Sequence, residues 1–165
     1  MMTVVCDASP LIFLAKLDRL GLIRGLLGKD VVVLQCVVDE VLGNAHGHDL
    51  EQKRLQAFLK SVRTVAFAES SYKSGRLSAS DRQTLTYAVR HHAAWLVADE
   101  RMLRRIAKSE GIATIGTLGL LAAAVKRGLL SRREALADLD TAISSHNFRI
   151  SIALYQRFQA ELRGR

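Results

Sequence analysis

The hydrophobic positions of this chain form short runs of aliphatic and β-branched residues, separated by longer segments with helical spacing. Runs of this kind are typical of strands that are buried on both faces of a parallel sheet. Five runs qualify, at residues 3–6, 31–34, 62–67, 95–98 and 112–115. Because strands and helices alternate, the pattern predicts an α/β fold, a three-layer α/β/α sandwich with a mainly parallel central sheet.

The segments between these runs carry the boundary signals of helices. Ser9 is placed to cap a first helix that starts at Pro10, and Ser80 is placed to cap a helix over 81–92. Gly43 and Asn44 predict the end of a helix over 35–42. Further helices are expected at 20–27, 50–59, 101–110, 118–125, about 131–145 and about 151–162.

Residues 1–165 are expected to form a single domain, because no repeat, low-complexity tract or linker interrupts the pattern. The helices from about residue 131 follow the last strand and are expected to form a C-terminal helical extension. In the last helix, Leu154, Phe158 and Leu162 share one face and are expected to be buried. Hydrophobic residues make up 49% of the chain, which excludes a disordered protein. No apolar run approaches the roughly 20 residues that span a bilayer, so no membrane partner is expected.

The cysteines and histidines argue against two kinds of site. Cys6 and Cys36 lie inside apolar runs, so we expect buried free thiols and a cytoplasmic protein rather than a disulfide framework. The histidines at 46, 48, 91 and 92 lack a Cys or acid that would complete a zinc site. A glycine-rich phosphate loop of the Walker type is also absent from the sequence.

Two of the strand runs end in a carboxylate. Asp7 follows the first run and Asp99 follows the fourth. In a parallel sheet, ligands bind in the crevice beyond the carboxyl ends of the strands. Two acids that meet there would repel each other unless a divalent cation lay between them. The pair therefore predicts a metal site at this edge of the sheet.

Three further acids lie at positions that allow two interpretations. Glu40 is near the predicted end of its helix, where a negative charge is unfavourable, so another task or a solvated surface position would explain it. Asp81 and Glu100 stand at helix starts, where the helix dipole favours an acid that has no other role.

The net charge of +8 is unevenly distributed. Residues 1–100 hold 12 basic and 11 acidic groups, whereas residues 101–165 hold 12 basic and 5 acidic groups. A basic surface beside an acidic crevice suits a polyanion such as a nucleic acid. The helix after Asp99 carries four cations that would either hold phosphates or form a solvated face: Arg101, Arg104, Arg105 and Lys108.

At this point the chain resembles a known family. The motifs that carry the resemblance are Val-Val-Cys-Asp7-Ala-Ser-Pro, Val-Val-Asp-Glu40-Val, Leu-Ser-Ala-Ser-Asp81 and Leu-Val-Ala-Asp99-Glu100. Their order and spacing are similar to those of PIN-domain ribonucleases, and most of all to VapC-type toxins and their uncharacterised relatives. The segments 99–107, 115–119 and 147–155 fit the same branch, so the resemblance covers almost the whole chain.

The resemblance implies a ribonuclease that hydrolyses RNA phosphodiester bonds with Mg²⁺ or Mn²⁺. It implies Asp7 and Asp99 as inner-sphere ligands, with Glu40 and Asp81 holding metal waters or orienting the nucleophile. Glu100 would assist, and Ser9 would support the first Asp. The implied partners are RNA and a small antitoxin protein, while the oligomeric state stays open, a homodimer included.

Two departures from the family pattern leave a second hypothesis open. Ser80-Asp81 stands where the family often has Gly-Glu, and Gln83 stands where a second acid often follows. A non-catalytic module that binds nucleic acid or an antitoxin is therefore the alternative. Two phosphoryl-transfer folds fit less well: a haloacid-dehalogenase phosphatase would need an Asp in place of Ser9, and a receiver domain an Asp near Ala68.

Overall fold

The computed structural model describes residues 2–163, and this part of the chain contains five strands and nine helices. In chain order they are β1 (Val4–Cys6), α1 (Ala8–Lys16), α2 (Gly21–Leu27), β2 (Val31–Leu34), α3 (Gln35–Asn44), α4 (Asp49–Lys60), β3 (Arg63–Val65), α5 (Ala79–Arg90), β4 (Trp95–Val97), α6 (Arg101–Ser109), β5 (Ala113–Ile115), α7 (Thr117–Lys126), α8 (Arg132–His146) and α9 (Ile152–Arg163). Every predicted strand is present, although the third is shorter than the run at 62–67.

The strands form one parallel sheet in the order β3-β2-β1-β4-β5. The chain builds outward from β1 to β3 and then returns to place β4 on the other side of β1. In the register of the sheet, Val4 pairs with both Val31 and Trp95. A reversal of this kind opens a crevice beyond the carboxyl ends of the two strands on either side of it, here β1 and β4.

Helices cover both faces of this sheet. α1 packs against α3 and α4, whereas α5 packs against α6. Right-handed crossovers place the helices that follow β1 and β2 on one face and those that follow β3 and β4 on the other. The three-layer α/β/α prediction is confirmed, and β1 and β2 are completely buried, as their unbroken aliphatic sequences indicated.

A second hydrophobic cluster joins the C-terminal helices to the rest of the molecule. Its buried residues include Leu22 of α2, Leu121 of α7, Leu139 of α8 and Phe158 of α9. The predicted stripe of α9 is correct for Phe158 and Leu162 but wrong for Leu154, which is 41% exposed. The first turn of α9 borders a cleft instead of packing on α7, and this position leaves Leu154 accessible.

Two predicted helix starts are wrong, and the first lies beside the predicted metal site. α1 begins at Ala8, so Asp7 occupies the N-cap position and Ser9 lies inside the first turn. α5 begins at Ala79 and is capped by Ser78, not by Ser80. The Ser78 hydroxyl accepts from the Asp81 backbone N–H, and the Ser78 N–H donates to the Asp81 carboxylate. This reciprocal box requires the acid three residues after the cap, which selects Ser78.

The helix that carries Glu40 is longer than predicted. α3 continues through Gly43 and Asn44, because the residue that ends it, Ala45, has right-handed helical backbone angles and no left-handed glycine is used. Glu40 therefore lies inside the helix and not at the unfavourable position near its end that the sequence predicts. Cys6 is buried as predicted, Cys36 is only half-buried, and both are free thiols. No helix in the range 2–163 is both long and apolar enough to cross a bilayer.

Candidate active site

Asp7 lies at the centre of the crevice, directly after β1. Its backbone N–H donates to the Val97 carbonyl of β4 at 2.9 Å, which fixes it between the two strands. The side chain is only 3% exposed, and its Oδ1 has no hydrogen-bond partner within the residues that the structure describes. A buried polar oxygen without a partner is costly, so this atom is a natural place for a ligand.

The other three predicted acids contribute to the electrostatics of Asp7. Burial raises the pKa of Asp7 to about 8, and the negative charge of Asp81 is the next largest cause. Glu40 and Asp99 raise this pKa further, while the backbone N–H of Ala8 opposes the shift. The fold thus brings the four acids, which are spread over more than ninety residues, to one end of the sheet.

Asp99 follows β4 and is held by one residue at the start of α7. Its Oδ1 accepts from the Thr117 backbone N–H and its Oδ2 accepts from the Thr117 hydroxyl, both at 2.7 Å. Burial raises the pKa of Asp99, but both Thr117 hydrogen bonds and the nearby Arg104 oppose that shift. The carboxylate is therefore fixed in orientation, but its charge is compensated only in part, because the pKa of Asp99 stays above its ordinary value.

Gly116 makes this arrangement sterically possible. A Cβ atom at this position would lie 2.6 Å from Asp99 Oδ1 and 3.2 Å from the Ala98 carbonyl oxygen. Neither atom can retreat, because one belongs to the bonded carboxylate and the other to the backbone. Only glycine therefore allows Asp99 to reach the first turn of α7.

No functional role for Gly116 or Thr117 is predicted from the sequence. A usable signal existed, because both residues directly follow β5, which is the sheet neighbour of β4. Their position is therefore at the same edge of the sheet as Asp99. Thr117 is also a polar residue that is 1% exposed, and such groups are normally hydrogen-bonded to a specific partner.

The remaining predicted site residues have local partners or lie at the rim. Asp81 is half-buried and takes part in the capping box of α5, whereas Glu40 is exposed on α3. Glu100 is the N-cap of α6, and its carboxylate accepts from the Leu103 N–H at 2.6 Å. Ser9 is half-buried, and the described part of the chain shows no hydrogen bond between its hydroxyl and Asp7. The catalytic roles of all these residues stay predictions.

The donor atoms at this site fit a hard divalent cation. All four acids offer carboxylate oxygens, which Mg²⁺ and Mn²⁺ prefer, and one oxygen of Asp7 has no partner in the described part of the chain. Within residues 2–163, however, no three His, Cys, Asp or Glu side chains are grouped closely enough to hold a metal ion as they stand. Carboxylates repel one another, so a closer arrangement requires the charge of a cation.

A basic cleft of about 1090 Å³ opens beside Asp99 and Glu100. All four cations predicted to meet phosphates line this cleft: Arg101, Arg104, Arg105 and Lys108 of α6. Arg76, from the segment before α5, and Arg157 of α9 complete its walls. Neither Arg76 nor Arg157 is predicted from the sequence, because only the tertiary fold brings them to α6.

Similar chains are found among the solved structures. The fold is similar to that of a PilT N-terminus domain protein from the hyperthermophilic archaeon Sulfolobus solfataricus, with a TM-score of 0.54 and 21% identity over 76% of this chain and 95% of the other. A domain of a functionally unknown protein from Methanocaldococcus jannaschii has a TM-score of 0.47 and 16% identity over 70% and 91%. No curated protein matches the chain.

A family model described as PIN domain matches residues 3–163. The chain therefore belongs to the PIN-domain family, which confirms the resemblance seen in the sequence. Members of this family are generally nucleases and usually bind divalent metals.

Proposed function

We propose that the protein is a divalent-metal-dependent ribonuclease. The observation that carries this proposal is the environment of Asp7, a buried carboxylate at the reversal point of the sheet with an oxygen that has no partner among residues 2–163. Three other acids act on it electrostatically, and a cleft with six cationic side chains opens beside the site. An acidic centre beside a basic cleft suits the cleavage of a polyanion.

In this proposal, Asp7 and Asp99 bind Mg²⁺ or Mn²⁺ directly. When bound, the cation would offset the negative charge that develops on the phosphate oxygens. Thr117 keeps the Asp99 carboxylate in one orientation, so little rearrangement is needed on binding. Asp81 and Glu40 lie further out, where a carboxylate can orient the attacking water and accept its proton.

The basic residues of α6 supply the attraction for the substrate. Arg104 lies near both the Asp99 carboxylate and the cleft, so it is placed to hold the phosphate next to the one that is cleaved. Arg101, Arg105 and Lys108 would hold flanking phosphates.

The resemblance to VapC-type toxins supports RNA as the substrate and a small antitoxin as a partner. Co-expression with the product of the neighbouring gene tests the antitoxin: growth arrest that this product relieves supports it.

Cleavage of mixed RNA by the purified protein, with Mn²⁺, Mg²⁺ or a chelator, tests the proposed activity. Cleavage is expected with either metal, and none with the chelator or in the Asp7→Asn/Asp99→Asn variant. Asp39→Asn is the matched control, because Asp39 is an exposed acid next to Glu40 that bonds to Gln35. Equal cleavage by the double variant would reject this site.

The alternative is a non-catalytic module that binds nucleic acid or an antitoxin. Gln83, which stands in place of an acid, favours this alternative. The spacing of the carboxylates also favours it, because no three of them are grouped closely enough in the described range to hold a metal ion. Under this alternative the protein binds RNA but cleaves none with either metal, and the cleavage assay separates the two functions.

A further inference from the structure

α3 and α5 lie on opposite faces of the sheet, yet their first turns meet beside the acidic site. The Ser80 hydroxyl of α5 donates to the Cys36 sulfur of α3 at 3.6 Å. Each residue is the second of its helix, since α3 begins at Gln35 and α5 at Ala79. Within residues 2–163, no other hydrogen bond or ion pair between side chains joins these two helices. The Cys36–Ser80 contact therefore links the two helical layers at the edge of the sheet that carries the site.

Each end of this contact lies next to one of the acids. Glu40 follows Cys36 by four residues, so the two residues share one face of α3. Asp81 directly follows Ser80 in the first turn of α5. Glu40 and Asp81 act electrostatically on Asp7 from these two helices. A change in the distance between the two helix starts would therefore change the spacing of the carboxylates around Asp7.

The contact also gives a role to a residue that departs from the family pattern. Ser80 stands where the family often has glycine, which has no side chain that could reach α3. Ser78 already caps α5, so the Ser80 hydroxyl is not needed as a cap. Sulfur is a weak acceptor, and its hydrogen bonds are long. Such a bond can hold two helix starts near each other and still allow a small movement.

We propose that Cys36 and Ser80 form a positioning pair that sets the distance of Glu40 and Asp81 from a cation bound at Asp7. The proposal rests on the proposed metal-dependent function and deepens it by naming two residues outside the acidic set that adjust the site. Within residues 2–163, no three acidic, His or Cys side chains are grouped closely enough to hold a metal ion. A bound cation would therefore draw the starts of α3 and α5 toward Asp7, and the pair guides this approach.

Calorimetry with Mn²⁺ alone tests the pair without reference to cleavage. Cys36→Ala and Ser80→Ala should each weaken Mn²⁺ binding by roughly 3- to 10-fold, the loss that corresponds to one weak hydrogen bond. The double variant should lose no more than either single variant, because the two side chains act through one contact. Cys36→Ser should restore the affinity, since a hydroxyl also accepts from Ser80.

Ser61→Ala is the matched control. Its hydroxyl donates to the Phe58 carbonyl at the end of α4, before β3, and therefore at the opposite edge of the sheet. This variant should bind Mn²⁺ like the wild type. Additive losses in the Cys36→Ala/Ser80→Ala double variant, or wild-type affinity in both single variants, would overturn the proposal.

Urea unfolding of the metal-free proteins distinguishes positioning from a purely structural role. Cys36 is half-buried and the bond to its sulfur is weak, so the free energy of unfolding should stay close to that of the wild type in both single variants. Mn²⁺ affinity that falls only in step with the free energy of unfolding would reduce the pair to a structural contact and overturn the proposal.

The reaction of Cys36 with a maleimide gives a second readout. Cys6 is fully buried, so Cys36 is the thiol that should react in the folded protein. Mn²⁺ should slow this reaction several-fold in the wild type, because the cation draws α3 and α5 together, and should not change it in Asp7→Asn. Equal rates with and without Mn²⁺ in the wild type would overturn the proposed approach of the two helices.

The cleavage assay keeps this proposal separate from the proposed function. If the wild type binds Mn²⁺ but cleaves no RNA, the nuclease proposal is rejected, and the Mn²⁺ affinities of the variants still decide whether the pair positions the acids. If the wild type binds no Mn²⁺, the pair has no cation to act on, and both proposals are rejected.

Discussion

Asp7 and Asp99 occupy equivalent positions at the ends of neighbouring strands, yet the protein stabilises them in different ways. Asp99 has a hydrogen bond to each oxygen and an arginine nearby, whereas Asp7 has an oxygen with no partner in the described structure. The pKa of Asp7 rises to about 8, while Thr117 and Arg104 oppose the rise at Asp99. The orientation of Asp99 is thus fixed by its protein partners, whereas Asp7 keeps an oxygen in the described structure that is free to bind a ligand.

The topology of the sheet explains the difference. β4 lies next to β5, and the residues after β5 reach Asp99 with a backbone N–H and a hydroxyl. β1 lies between β2 and β4, so Asp7 is surrounded by the elements that carry the other acids. A cation at this central strand end would relieve the repulsion among the acids, which the backbone N–H of Ala8 offsets only in part.

The largest expected effect is a difference between the two acids in how their loss changes stability. In the metal-free protein near pH 7, Asp7→Asn should raise the free energy of unfolding by on the order of 2–4 kcal/mol, since Asp7 must take up a proton on folding whereas an amide is neutral in both states. Asp99→Asn should change it by about 1 kcal/mol or less, because the charge-assisted hydrogen bonds that are lost offset the burial of charge that is avoided. Urea unfolding measures both. Equal changes in the two variants would show that the protein does not stabilise the two acids differently.

Asp81 is the charge that acts most strongly on Asp7, and it also belongs to the capping box of α5. Asp81→Ala should cut single-turnover cleavage about 100-fold if this carboxylate serves the site. Ser78→Ala is the matched control, since it removes the other half of the box at a cost of about 1 kcal/mol and leaves the acid in place. Equal cleavage by the two variants would confine Asp81 to capping.

Thr117 is expected to act on the metal through Asp99. Thr117→Val removes the hydroxyl but keeps the backbone N–H, so stability should fall by about 2 kcal/mol and Mn²⁺ affinity about tenfold. Thr117→Ser should restore the affinity. Thr114→Val is the control, because the Thr114 hydroxyl is buried without a partner in the described structure and its loss should be neutral. Calorimetry that shows equal Mn²⁺ affinity in all three variants would contradict this role.

The pH dependence of stability gives the smallest effect when it is expressed per pH unit. Asp7 binds its proton more tightly in the folded state than in the unfolded state. The stability that this proton contributes is therefore fully present below the ordinary pKa of 3.8 and is lost as the pH rises to about 8. The metal-free wild type should lose up to about 1.4 kcal/mol per pH unit in this window relative to Asp7→Asn. Parallel curves for the two proteins, measured by urea unfolding from pH 5 to pH 8, would show that Asp7 is not perturbed.

Much of the fold could be predicted because its signals are local. Each strand is recognisable in the sequence as an aliphatic run. The acids at the ends of β1 and β4 are predictable because each directly follows such a run. Helix starts were less predictable, since Ser78 and Ser80 both can cap and only the reciprocal bond to Asp81 selects between them.

The contacts that complete the site could not be predicted from local sequence. Thr117 holds Asp99 across 18 residues, and Arg76 and Arg157 reach the cleft from segments that flank α6 far along the chain. The spacing of Leu154 matches the apolar stripe of α9, but its side chain lines the cleft instead of packing against another helix. Tertiary placement decides all of these.

We propose that a divalent cation binds at Asp7. The decisive measurement is titration calorimetry of Mn²⁺ into the wild type, Asp7→Asn and the control Asp39→Asn at a pH near 7. The wild type and Asp39→Asn should bind Mn²⁺ with equal affinity and release a proton from Asp7, whereas Asp7→Asn should bind none. Unchanged Mn²⁺ affinity in Asp7→Asn would rule out Asp7 as the metal ligand.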